Sequence, residues 1–204
     1  MGDARTLNWR FIVPGETQRS LLLSVDGERL PGWISPPLTR SGLSGALVGR
    51  RYPAVVAVDA SRWSHRLRIP PAHLLGRLAE AVDPGGYLCV GFANPWYPGA
   101  PGAAGSLSGA GAERVLAERG LQLHHRYLAF PSVDCPAYLV DRDDAACVNY
   151  FVRRISIPFV AGSGISARAK QRVLRAMRRI AIVAPHSERV RFAPGTVIVA
   201  RRSP

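Results

Sequence analysis

The chain has 204 residues, 47% of them apolar, which is enough for one good core and short for two, so a single domain is expected. No apolar run approaches the roughly 20 residues of a membrane span. The N-terminal MGDARTLNWRFIVPG mixes acid with base and lacks the apolar core of a secretory signal, so the chain reads as cytoplasmic and not membrane-bound. The formal charge of +13 is uneven: residues 1–149 hold 15 basic and 13 acidic side chains, whereas 150–204 hold 12 basic and one acid, Glu188.

In chain order, SLLLSVD (20–26) is a short apolar run ending at Asp26-Gly27, the pattern of a buried strand feeding a loop. GERLPGWISPPLTRSGLSG follows and, with three prolines and four glycines, cannot hold a long helix. YPAVVAVDA (52–60) is a second buried strand, and SRWSHRLRIPP reads as a loop. Pro70-Pro71 then opens a helix whose Leu74, Leu75, Leu78, Ala79 and Val82 share one face. Asp83-Pro84-Gly85-Gly86 is expected to end it, because proline cannot continue a helix and glycine accepts positive φ. Tyr87 to Phe92 is the third buried strand. Residues 98–111 are rich in Gly, Ala, Ser and Pro and read as a mobile loop. AERVLAERG is a helix closed by Gly120, and LQLHHRYLAFP alternates like a strand. DAACVNYFVRRI reads as a short helix. SARAKQRVLRAMRRIAIVAP is an amphipathic one, with Ser166 as N-cap and Pro185 as its stop. FAPGTVIVARR supplies the last strand, which is expected to pair antiparallel with that of 121–130 as the sheet's edge. Strands alternating with helices, the first three of them apolar throughout, define a Rossmann-like three-layer α/β fold with a mostly parallel sheet.

Residues 52–131, with YPAVVAVDA, DPGGYLCVGFANP and ERGLQLHHRYLAFP, resemble the C-terminal half of class I S-adenosylmethionine-dependent methyltransferases. In that family a strand, a helix, a P-G-G turn, a further strand and a helix precede a closing hairpin. FAPGTVIVARRSP resembles the closing strand, PSVDCPAYLVDRDDAACVNYFVRRI resembles an insertion before it, and a basic helical insertion is expected at about 144–185. The family's first strand ends in a glycine-rich loop that approaches the cofactor, and an acid about 20 residues later binds the ribose hydroxyls; a comparable logic operates in dinucleotide folds. Here Asp26 and Gly27 are followed by Glu28, Arg29 and Leu30, with no further glycine before Gly32. About 25 residues separate that strand from Tyr52, too few for the usual half, and 38–51 contains no Asp or Glu. The resemblance therefore implies the family fold with a reduced cofactor half. Asp26, Gly27 and Asp59 are the residues that would hold S-adenosylmethionine if the site works.

Asp59, Asn94, Trp96 and Tyr97 fall at C-terminal strand ends, where ligands bind in open α/β sheets. They are candidates to face a substrate, against the alternative that Asn94-Pro95 starts a turn and the aromatics pack beneath it. Arg168, Arg172, Arg175 and Arg179 lie three or four apart on the basic helix, a stripe that repels itself unless an anion neutralises it. A solvated face, an acidic protein or peptide partner, and nucleic acid are the readings of that stripe. His124 and His125 should point to opposite sides of their strand, and no Cys, His or carboxylate set has metal spacing, so no metal is expected. Cys89, Cys135 and Cys147 have no C-x-x-C spacing and read as buried reduced thiols.

Three functions follow as expectations. The first is a methyltransferase-like pseudoenzyme without a complete methyl-donor site, an accessory or binding subunit for an enzyme that modifies a peptide or natural product. The second is a compact active methyltransferase. The third is an Arg-rich nucleic-acid binder.

Overall fold

The computed structural model describes residues 9–14, 18–24, 30–94, 97, 107, 109–155 and 165–204. In chain order the elements are β1 (Leu21–Leu23), α1 (Arg40–Leu47), β2 (Tyr52–Ala57), α2 (Ala60–Leu67), α3 (Pro71–Glu80), β3 (Val82–Ala93), α4 (Gly109–Glu118), β4 (Leu121–Phe130), β5 (Tyr138–Asp141), α5 (Ala145–Tyr150), α6 (Ile165–Val183), α7 (His186–Arg189) and β6 (Gly195–Arg202). A π-helical turn, Phe151–Ile155, follows α5, and a 3-10 turn, Val190–Phe192, precedes β6.

The six strands form one sheet in the order β1-β2-β3-β6-β4-β5. β1, β2 and β3 are parallel; β6 inserts antiparallel between β3 and β4, and β5 is antiparallel to β4. Four strands thus run one way and two the other. This is a mixed α/β, Rossmann-like fold with a mostly parallel sheet, as the sequence led one to expect. β4 and β6 do pair antiparallel, but the edge beyond them is β5, which the sequence reading did not foresee.

Side-chain alternation divides the sheet into two cores. On one face Leu21, Leu23, Val55, Leu88, Val90 and Ile198 pack with Leu43 of α1, Trp63 of α2, Leu74, Leu75 and Leu78 of α3, and Leu116 of α4. Leu128 and Val140 extend this face beneath α5, the π turn and α6, where Val148, Phe151, Val152 and Ala181 close a smaller cluster. On the other face Leu22, Val56, Cys89, Val197 and Val199 meet Trp9, Val13 and Val133. Trp9 and Trp33 stack edge to face at 5.4 Å there. That third layer is thin among the described residues, made of irregular chain rather than long helices.

The segment read as a loop after Asp59 is helix α2. Its Ala60, Trp63 and Leu67 face the core, and Arg68 ends it at φ 51, with its backbone N–H returning to His65 and Ser64. α3 ends at Glu80, and β3 already starts at Val82, before the P-G-G turn. Asp83 to Gly86 therefore lie in a register break inside the strand: Tyr52 pairs with Val82 and Ala54 with Tyr87. Gly85 stands at φ 75, and a Cβ on Gly86 would lie 2.7 Å from the Pro53 carbonyl oxygen. α6 begins at Ile165, so Ser166 lies in its first turn and is not its cap. Of the cysteines, all free, only Cys89 is buried; Cys147 is exposed. The stretch read as a mobile loop lies outside the described residues over 98–106 and at 108, and its last three residues belong to α4.

Candidate functional site

The C-terminal ends of β2 and β3 bring Asp59, Asn94 and Tyr97 to one edge of the sheet. Asp59 follows β2 directly and caps α2: its carboxylate accepts the Arg62 backbone N–H at 3.0 Å, and Arg62 Nε stands 3.8 Å from its other oxygen. The same guanidinium reaches Asp134 at 3.3 Å. Asp59 is 2% exposed. Its carboxylate is engaged within the scaffold.

Burial raises the Asp59 pKa, with the Arg62 backbone N–H and guanidinium opposing the shift. An acid whose folded-state pKa is raised holds its proton more strongly in the folded state. Its contribution to stability is full below the ordinary value and is lost as pH rises through the raised one. Asp59→Asn keeps an oxygen for the cap and removes the buried charge. Urea titrations should therefore show a smaller loss of stability for this variant than for the parent as pH rises above the ordinary carboxylate range. Equal losses would mean that Asp59 is not desolvated.

Asn94 ends β3 in the same structural manner. Its Nδ2 donates to the carbonyls of Arg191 and Ala193, both at 2.8 Å, and its backbone N–H donates to Pro194 at 2.8 Å, clamping the end of β3 to the approach of β6. Tyr97 donates its N–H to the Asn94 carbonyl at 3.1 Å, and burial pushes its phenol pKa up. Trp96 lies outside the described residues. The edge is thus built from groups that already satisfy one another.

For S-adenosylmethionine, Asp26 and Gly27 lie outside the described residues, and Asp59 is the one described candidate. A nearly inaccessible acid that already caps a helix does not fit a polar cofactor group.

The arginine stripe stands elsewhere, on α6. Arg168, Arg172, Arg175 and Arg179 are all exposed, and among the described residues none reaches a carboxylate. Arg178, off the stripe, instead donates to the Arg153 carbonyl at 2.9 Å; Ala181 belongs to the smaller cluster, and Leu174 is buried on the same side of the helix.

Two features escaped the sequence reading. A register shift between Leu123 and His125 lets both histidines turn to one face, with ring centroids 4.3 Å apart, flanked by Tyr87 and Tyr127. Strict alternation excludes this, and only the bulge allows it. No third ligand completes a metal set among the described residues. Two adjoining clefts, about 480 and 510 Å³, open at the opposite, N-terminal ends of the strands and share Arg50 and Arg51. The Gly49-Arg50-Arg51 triplet before β2 is their only signal in the sequence.

No protein-family model matches the chain, and no curated protein matches it. Among solved structures it is similar to the complex between the Haloferax volcanii Trm112 methyltransferase activator and a methyltransferase, at TM-score 0.42 and 12% identity over 85% of this chain and 62% of the other. It is also similar to the [4+2]-cyclase SpnF, at TM-score 0.37 and 12% identity over 76% and 50%. A third is a sarcosine dimethylglycine methyltransferase from Galdieria sulphuraria, at TM-score 0.35 and 10% identity over 84% and 59%. The chain spans less than two-thirds of each of these proteins.

Proposed function

We propose that this chain is a methyltransferase-type domain without a complete methyl-donor site, acting as an accessory or binding subunit beside an enzyme that modifies a peptide or a small natural product. One observation carries the reading: Asp59, the acid at the strand end where a ligand group would be needed, is buried as the cap of α2. The described sheet, which ends at β1, supports it. So does the exposed stripe of Arg168, Arg172, Arg175 and Arg179, which meets no carboxylate among the described residues and suits an acidic protein or peptide partner. On this reading the protein is a cytoplasmic single domain that takes no cofactor.

Calorimetry with S-adenosylmethionine tests the reading. No saturable heat is expected. Stoichiometric binding would return the compact active methyltransferase, and loss of methyl transfer in Asp26→Ala would then place the donor at β1. Nucleic-acid binding through the stripe would instead show affinity falling steeply with salt.

A further inference from the structure

The exposed side of α6 carries more than charge. Ala169, Val173, Ala176, Ile180 and Val183 recur at spacings of four, three, four and three, and all five are exposed. Val173 is 48% exposed, Ile180 54% and Val183 82%. They form one apolar line about 21 Å long, at 1.5 Å of rise per residue. The core-facing residues Leu174 and Ala181 are a different set. The principal neighbours of α6 are the π turn, α7 and the 3-10 turn, and among the described residues the five positions of this line stay exposed. The four-three period is that of a coiled-coil seam, with small Ala169 and Ala176 alternating with the larger Val173 and Ile180. Arg168, Arg172, Arg175 and Arg179 border it along one side, since at 100° per residue they project next to the line rather than opposite it.

We infer that this face of α6 docks an amphipathic helix of a partner protein, its apolar ridge on the Ala169–Val183 seam and its glutamates or aspartates against the four arginines. Charge selects the occupant. α6 contains no acid, so a second copy of the chain would set cations beside the seam with nothing to neutralise them. A membrane is disfavoured by the width and chemistry of the strip. Interfacial helices bring a broad face with Trp, Phe or Leu, whereas here the line is one residue wide and made of Ala, Val and Ile. A helix with acids flanking its own apolar ridge meets both features at once. The inference deepens the binding-subunit reading by naming the chemistry of the partner.

The probe is a synthetic three-heptad peptide with Leu and Ile at its core positions and Glu at the flanking ones. Its twin has every Glu replaced by Lys, and vesicles of phosphatidylserine and phosphatidylcholine form a third arm. Fluorescence anisotropy with the full chain should give at least tenfold tighter binding of the acidic peptide than of the basic one. Ile180→Glu should weaken it at least tenfold, and Arg172→Glu with Arg175→Glu should invert the preference. Both sites are exposed, and an unchanged melting curve shows that the variants fold. Equal binding of the two peptides, or binding indifferent to Ile180→Glu, overturns the inference. Vesicle binding without peptide binding overturns it in favour of a lipid surface, and a dimer abolished by Ile180→Glu overturns it in favour of self-association. S-adenosylmethionine calorimetry on the same preparation separates the two claims. Heat with the cofactor removes the accessory reading and leaves the surface standing; failure of the peptide removes the surface alone.

Discussion

Gly91→Ala is expected to be among the most damaging single-methyl additions in the sheet. A Cβ at Gly91 would stand 2.2 Å from the carbonyl oxygen of Val58 and 2.5 Å from Val133 Cγ2. The first contact is backbone, in the chain that leads from β2 to the cap of α2, so rotating a side chain cannot relieve it. An added carbon in a packed core costs about 1–3 kcal/mol when neighbours can adjust, and here the loss should reach the upper end. For a chain of this size about 3 kcal/mol lowers the melting temperature by roughly 6–12 °C. Gly45→Ala is the control: its Cβ meets nothing within 4 Å in α1, where alanine is favoured over glycine by up to about 1 kcal/mol. Thermal melts of the two variants should therefore move in opposite directions. If Gly91→Ala melts with the parent, β2 and β3 are not packed as closely as described.

Trp63→Ala should cost about 3–5 kcal/mol, the range for deleting a large buried aromatic. Trp63 is fully buried in the principal core, among the largest side chains there. α2 holds it through an unusual arrangement, with Ser61 and Ser64 buried beside it and Asp59 capping the first turn. Collapse around the missing ring is opposed by α3 and the sheet, so the cavity persists. Trp63→Phe should retain most of the stability, because the indole N–H has no hydrogen-bond partner among the described residues to lose. Urea unfolding followed by circular dichroism distinguishes the two. A Trp63→Ala variant within 1 kcal/mol of the parent, on the order of a surface change, would mean that α2 is not seated on the sheet.

These two positions also mark where the sequence could be read and where it could not. β2 and β3 are legible because Val55, Val56, Leu88 and Val90 belong to runs buried on both faces, which leave a continuous apolar signal. α2 is illegible because two of its buried positions are serines, so the segment looks polar although it lies inside. β5 is illegible because Tyr138–Asp141 is short and sits in a proline-interrupted stretch. The candidate site failed in a similar way. An acid after a buried strand serves equally well as a ligand group or a helix cap, and only the burial of Asp59 separates the two. On α6 the sequence displayed the arginine stripe but not which apolar residues were left outside. Val173 and Leu174 are adjacent in sequence, and only the packing of α6 against the rest of the molecule decides that Leu174 goes in and Val173 stays out.

The position of β6 bears on how the molecule assembles. It comes last of the described strands in chain order, yet among the described residues it supplies the only ladder joining β1-β2-β3 to β4-β5. Until it docks, β3 and β4 are two open edges with apolar faces, each able to recruit a strand from another molecule. The pairing of Leu88 with Ala200 closes a very long loop, the kind of contact that forms late and slowly. On topology, β1-β2-β3 and β4-β5 are therefore expected to form before β6 joins them. At high concentration, the competition between β6 and foreign strands for those edges sets the yield of soluble protein.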